Sequence, residues 1–352
     1  MIKRPVIDKS KFYDFKHVNS CFVTNSEIIS GSICNNTNII SLGSSNGDLK
    51  LFTLKNDKIE NFCDLQFMDS PIFCVEWVNK ENIALGLGTG QVLIYNVVTD
   101  TNSLIFCHEG SIRSIKNNFS REMIFTGSTD GSIKGWDLRT NKCEISLISQ
   151  TESSPKPKRK NNIIYQDRRI NSDDTGCINQ RSTITAMEFI NDYNLCSSQT
   201  PGSKICIWDL RYTKKGFFTH LSYEISRKAV YGILSYNNKI YCASSDGRIL
   251  ILRNDGTVSR ILGDPNINSS YGNIIYDRYN DMILAGLKNR VFLINENNYQ
   301  NIGFKMLELG NINGVISSNN NLITYGTSNN IEIYESIFDN KYNLFDLIIY
   351  SL

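Results

Sequence analysis

One kind of position recurs seven times along this chain: a large apolar side chain that closes a short strand after a polar turn. The stretches are SSNGDLKLF ending at Phe52, GTGQVLIY at Tyr95, STDGSIKGW at Trp136, TPGSKICIW at Trp208, SSDGRILIL at Leu252, LKNRVFLI at Ile294 and GTSNNIEIY at Tyr334. The closing positions are separated by 43, 41, 72, 44, 42 and 40 residues. A period of about 40 to 45 residues is that of a four-stranded propeller blade. A chain of 352 residues is long for one compact core, which suggests two domains or a repeat architecture, and the period selects the repeat.

Each unit has the internal order that such a blade needs. In the first, IISGSIC, IISLG, DLKLF and IENFCDLQF read as successive strands joined by short turns. The pairs Asn46-Gly47, Asp130-Gly131 and Asp246-Gly247 supply the positive φ that tight hairpins require. Helical periodicity is nearly absent. The expected fold is all-β: a seven-bladed β-propeller of four-stranded antiparallel blades, one domain over residues 1–352. The LFDLIIY run near the C-terminus is a candidate outer strand for the last blade. Whether the N-terminal segment also pairs there, closing the ring, is left open by the sequence.

Composition excludes several alternatives. With 41% hydrophobic and 20% charged residues the chain is ordinary for a globular protein, and a net charge of +2 gives no general reason to expect nucleic acid or an anionic membrane as partner. The ten cysteines include no CxxC pair, and Cys74, Cys206 and Cys242 alternate with apolar residues, which favours buried thiols in a reducing compartment. His17, His108 and His220 are the only histidines, so no metal site is expected. The N-terminus, MIKRPVIDKSKFYDFK, is too charged for a signal peptide, and no run approaches the roughly 18 apolar residues that span a bilayer. The chain reads as soluble and intracellular.

These repeats resemble the WD-repeat propellers. Only the third and fourth units carry Trp-Asp itself. The third also has the polar set that the family buries: His108 before the first strand, Thr126 or Ser128, Asp130 in the turn, and Trp136. A buried His and Asp are tolerable only when they hydrogen-bond to each other, so these residues read as structural and not catalytic. Elsewhere Phe, Tyr, Leu or Ile replaces the Trp, and those blades depend more on apolar packing.

Arginine stands three residues after the closing position at Arg139 and Arg211, giving two copies of WDLR; the other five units have Lys55, Val98, Asp255, Asn297 and Ile337 there. An arginine at a strand exit commonly does no more than pair with a nearby Asp, which is worth about 0 to 1 kcal/mol at a surface. A pair on one rim also suits an interface, because the planar fork of Arg matches carboxylates and carbonyls. The doublet resembles the WDxR motif of the propellers that act as substrate receptors of cullin-4 ubiquitin ligases. That resemblance implies that Asp137, Arg139, Asp209 and Arg211 contact the ligase's DNA-damage-binding adaptor protein. It also implies a protein client, drawn in one receptor group from replication and cell-cycle control.

The 72-residue spacing exceeds one repeat by about 30 residues, and the surplus falls at 149–181. The segment contains SSPKPKRKNN and QDRRINSDDTG, a composition that predicts a disordered basic insertion between the third and fourth blades. Lys156, Lys158, Arg159 and Lys160 form a candidate nuclear-import signal, which implies a nuclear location with a cytoplasmic pool. Antiparallel geometry puts the Asp130 turn and Arg139 on opposite faces. KCEISLI then returns the chain to the Asp130 face before the insertion starts. The order of a third blade, a Pro-Lys-Arg insertion and a second WDLR blade is similar to that of one cullin-4 receptor group over roughly Phe106 to Arg211. Animal members of that group continue into a long tail, whereas this sequence ends at Leu352, so a tail-borne contact with the replication clamp is expected to be missing.

No catalytic motif is present. GLGTG, Gly86 to Gly90, reads as a hairpin turn, because no helix follows it to orient a phosphate. No enzyme activity, cofactor, membrane contact, nucleic-acid binding or obligatory homo-oligomer is expected. The alternative to a ligase receptor is a general WD-repeat scaffold in a nuclear or ribosome-assembly complex.

Overall fold

Runs of β-branched and aromatic residues bounded by Asn, Asp and Gly turns fold here as strands that pair in sequence order. The computed structural model describes residues 13–55, 58–67, 69–148, 182–200, 204–211, 223–224, 228–254, 256–263, 271–287, 290–294, 301–306, 311–318, 321–327 and 329–338. They form seven four-stranded antiparallel sheets. Blade one comprises Ile28–Cys34, Ile39–Ser44, Asp48–Lys55 and Lys58–Gln66, and blade two Ile72–Trp77, Asn82–Leu87, Gln91–Asn96 and Thr101–Phe106. Blade three is Ile112–Asn118, Met123–Ser128, Ser132–Asp137 and Lys142–Ile148, and blade four Thr183–Phe189, Asn194–Thr200, Lys204–Asp209 and Tyr223–Glu224. Blade five is Val230–Tyr236, Lys239–Ser244, Ile249–Arg253 and Val258–Leu262, and blade six Tyr271–Asp277, Met282–Leu287, Arg290–Ile294 and Asn301–Met306.

Blade seven joins the two ends of the chain. Ile312–Ser318, Asn321–Gly326 and Asn330–Phe338 supply three strands, and the fourth is the N-terminal Tyr13–Phe22. Its register runs from Tyr13 opposite Phe338 to Phe22 opposite Asn330. The N-terminal strand therefore holds the outer place for which LFDLIIY was a candidate, and that run lies outside the described residues. The turns of blades one, three and five match expectation: Gly47, Gly131 and Gly247 take φ of 88°, 84° and 77°.

The recurrent closing side chain has a packing reason. Buried apolar residues form seven clusters, and each lies between a pair of neighbouring blades. In every one the closing residue of one blade reaches back toward the blade before it. Trp136 packs with Val92 and Ile105 of blade two, Trp208 with Phe125 and Ile133 of blade three, and Tyr95 with Leu49 and Leu51 of blade one. Burying a side chain of this size stabilises by roughly 1.5 to 3 kcal/mol, so a large apolar group suffices at this position and Trp is optional. Hydrogen bonds reinforce the same gaps. Ser30 Oγ donates to Ile72 O at 2.6 Å, Thr185 Oγ1 to Val230 O at 2.6 Å and Asn313 Nδ2 to Ile28 O at 2.8 Å. The cysteines of the strands behave as small apolar groups, and burial pushes the thiols of Cys206 and Cys242 up to about 11 and about 12.

Candidate functional site

The strands run between two end faces. One carries the turns between second and third strands, including Asp130, and the other carries the exits of the third strands, including Arg139 and Arg211.

On the first face, the structure brings together the polar set of blade three. Trp136 Nε1 donates to Thr126 Oγ1 at 3.0 Å, and Thr126 Oγ1 lies 2.7 Å from His108 Nε2. His108 Nδ1 is 3.0 Å from Asp130 Oδ2. An ionised carboxylate only accepts, so Nδ1 carries a proton, and in the neutral ring Nε2 then accepts from the Thr126 hydroxyl. Burial alone would raise the Asp130 carboxyl. Hydrogen bonds from His108 and Ser132 outweigh that effect and hold it well below the usual carboxylate range. Ser128 stands apart from this chain: its Oγ donates to Gly110 O at 2.9 Å and accepts from Asp130 N. Thr126 is thus the bridge between Trp136 and His108. In blade four the equivalent bond runs from Trp208 Nε1 to Ser197 Oγ at 2.8 Å.

Both flanks of the long insertion meet this face. Ile148 pairs with Ser132, and a Cβ on Gly131 would stand 2.3 Å from Ser182 O. Gly131 is needed on two counts, since its φ is +84° and the chain re-entering blade four passes directly against it. Residues 149–181, with Lys156, Lys158, Arg159 and Lys160, lie outside the described residues.

On the opposite face, adjacent blades present Arg139 and Arg211. Each guanidinium folds onto the Asp two residues earlier. Arg139 Nη2 donates to Asp137 Oδ2 at 3.0 Å, and its backbone N donates to Asp137 Oδ1 at 2.8 Å. Arg211 Nε donates to Asp209 Oδ1 at 2.9 Å and Nη2 to Asp209 Oδ2 at 2.5 Å. Hydrogen bonds from these arginines lead in holding both carboxyls below their ordinary value. The side chains of Arg139 and Arg211 remain 72% and 56% exposed, while those of their aspartates are 16% and 10% exposed. The Asp is therefore a recessed clamp that fixes an outward-facing arginine. An Arg has five N–H donors, and the 72% exposed guanidinium of Arg139 keeps an edge of them toward solvent.

Sequence reasoning missed four neighbours of this pair. Arg121 Cζ lies 5.2 Å from the ring centroid of Tyr193, and Arg211 Cζ 5.7 Å from it on the same face. Phe119 stands two residues before Arg121, and Arg139 also reaches Glu122, 3.5 Å away. Their signal was an aromatic in the first turn of two consecutive repeats, a position with no recurrent pattern of its own.

Between the faces, the innermost strands line an open channel of about 1450 Å³. One side is ionic, where Lys116 meets Glu188 at 2.8 Å with Glu76 close by, and residues of blades six and seven, among them Ile275 and Ile316, line the other. Among the described residues no cluster of His, Cys, Asp or Glu could hold a metal ion, and no helix is long and apolar enough to cross a membrane.

No family model matches the chain. The human (Homo sapiens) denticleless protein homolog is 22% identical over 195 residues, covering 50% of this chain and 25% of that protein. The mitotic checkpoint protein bub3 of Dictyostelium discoideum is 34% identical over 67 residues, covering 19% of this chain and 20% of that protein. The chain thus matches a quarter or less of each relative's own length. Both relatives are WD-repeat proteins.

Proposed function

We propose, from the premise that this chain is a WD-repeat propeller resembling denticleless, that it is a non-catalytic substrate receptor of a cullin-4 ubiquitin ligase. The arginine face docks on the ligase adaptor through Asp137, Arg139, Asp209 and Arg211. The Asp130 face is left for a protein client, selected in replication or cell-cycle control. One observation carries this reading: two neighbouring blades each hold an exposed arginine in a fork on a recessed aspartate, pointing the same way. The likeness to denticleless over half of the chain supports it. On this reading the chain is a single propeller with a basic insertion at 149–181, and Lys156, Lys158, Arg159 and Lys160 direct nuclear import. The receptor works without a cofactor, a membrane or a second copy of itself.

The match to bub3 favours a second reading, an interaction scaffold with no ligase. Affinity purification from the native cells separates the two. The wild-type chain is compared with the double variant Arg139→Ala, Arg211→Ala by mass spectrometry. Recovery of the cullin-4 adaptor with wild type and its loss from the variant is the expected result. A different stable complex that the substitutions leave intact would make the protein a scaffold.

A further inference from the structure

We propose that Phe119 and Tyr193 are the apolar anchors of the adaptor contact, and that the surface they fit is an apolar pocket rimmed by carboxylates. This inference rests on the receptor reading above and extends it to residues outside the WDLR motif.

Phe119 is 72% exposed, more than any other large apolar side chain among the described residues. It is held there. The preceding Asn118 is 4% exposed, and its Nδ2 donates across the blade gap to Asp192 O at 3.1 Å. Ser120 Oγ donates back to Asn118 Oδ1 at 2.8 Å. The short 3-10 turn Phe119–Arg121 then ends at Glu122, a non-glycine residue with φ of 53°. With Asn118 fixed inward, the next side chain is directed to solvent, and little freedom remains to be lost on binding.

Tyr193 is presented in the same manner. It is 48% exposed, and the Asn191 side chain accepts from the backbone N of Tyr193 and of Asn194, both at 2.9 Å. The bond from Asn118 to Asp192 puts the two turns side by side, so both rings belong to one patch across blades three and four. Arg121 and Arg211 flank Tyr193, and Arg139 adjoins Glu122 at the end of the Phe119 turn. Aromatic and arginine side chains in combination are what the energetic centres of protein interfaces contain.

The charge of the partner follows from what is already satisfied. Asp137 and Asp209 are turned onto their own arginines, and the guanidinium of Arg139, 72% exposed, faces solvent beside the rings with Glu122 at its edge. Donors ask for carboxylates or carbonyls, and the two rings ask for an apolar recess between them. A basic or purely polar surface provides neither.

The test uses the purified cullin-4 adaptor of the same organism, immobilised, with the propeller in solution. Phe119→Ala and Tyr193→Ala are expected to weaken binding by about tenfold or more each. Tyr231→Ala, an exposed tyrosine among the channel-lining residues, is expected to change it less than twofold. Phe119→Asp should bind more weakly than Phe119→Lys, because an acidic rim repels the first and attracts the second. Thermal midpoints should stay within about 2 °C, since both rings are exposed. If Arg139→Ala with Arg211→Ala abolishes binding while Phe119→Ala and Tyr193→Ala leave it unchanged, the anchor inference fails and the receptor reading stands. Equal losses for Phe119→Asp and Phe119→Lys overturn the acidic rim. If the wild-type propeller does not bind the adaptor, the receptor reading fails and takes this inference with it.

Discussion

Lys116 Nζ lies 2.8 Å from Glu188 Oε2, across the gap between the innermost strands of blades three and four. The matching position of blade two is Glu76, which feels the same ammonium. Burial pushes the Glu76 carboxyl up to about 6; Lys116 pulls against that shift, and Glu188 adds to it. Burial alone would lower Lys116, but the two carboxylates hold it above its ordinary value and keep it charged. One cation thus serves two anions.

A pH dependence follows. The folded value for Glu76 lies above the ordinary 4.5, so the folded state binds this proton more tightly than the unfolded chain does. The associated stability is fully present below about pH 4.5 and is lost as pH rises through about 6. Glu76→Gln should therefore be more stable than wild type at pH 7.5 by about 2 kcal/mol, with the gain vanishing near pH 4.5. Urea midpoints at the two pH values measure it. A gain of the same size at both would mean that the effect is packing and not ionisation.

The polar chain of blade three gives a second prediction. Thr126→Val keeps the shape but leaves Trp136 Nε1 and His108 Nε2 buried without a partner, at roughly 1 to 3 kcal/mol for each group. Ser128→Ala removes only the bonds to Gly110 O and from Asp130 N, and should cost about 1 kcal/mol. Denaturant unfolding of the two variants orders them. A larger loss for Ser128→Ala would overturn the assignment of Thr126 as the bridge.

Ring closure gives a third. Deleting residues 1–22 removes the outer strand of blade seven and leaves the Asn330–Phe338 edge unpaired. The thermal midpoint should fall by about 5 °C or more, with amide exchange rising first along Asn330–Phe338. Unchanged protection of that strand would show that it does not depend on the N-terminal pairing.

The repeating unit was legible because its signal is local. A turn, a short strand and a closing apolar residue lie within nine positions of one another in GTSNNIEIY as in STDGSIKGW, even where Tyr stands for Trp. The His108 to Trp136 set was legible for the same reason, since one blade contains all of it. What escaped reading depends on contacts between blades. Asn118 and Asp192 are 74 residues apart, and nothing near either announces the other. Lys116, Glu76 and Glu188 meet only because three innermost strands share a height on the channel wall. Ring closure escaped too: a strand that pairs across the whole length of the chain carries no local mark, and LFDLIIY has a better apolar pattern than HVNSCF.

Tyr13 and Phe338 face each other at the end of blade seven where its third strand exits, on the same side of the disc as Arg139 and Arg211. Blade seven is also the blade farthest around the ring from the seam of blades three and four. Among the described residues the chain therefore enters and leaves blade seven beneath the disc, on the rim opposite the arginines. A surface that grips the ring at this strand pair would turn the Asp130 side toward solution and crowd the other, so the two faces call for different ways of holding the molecule.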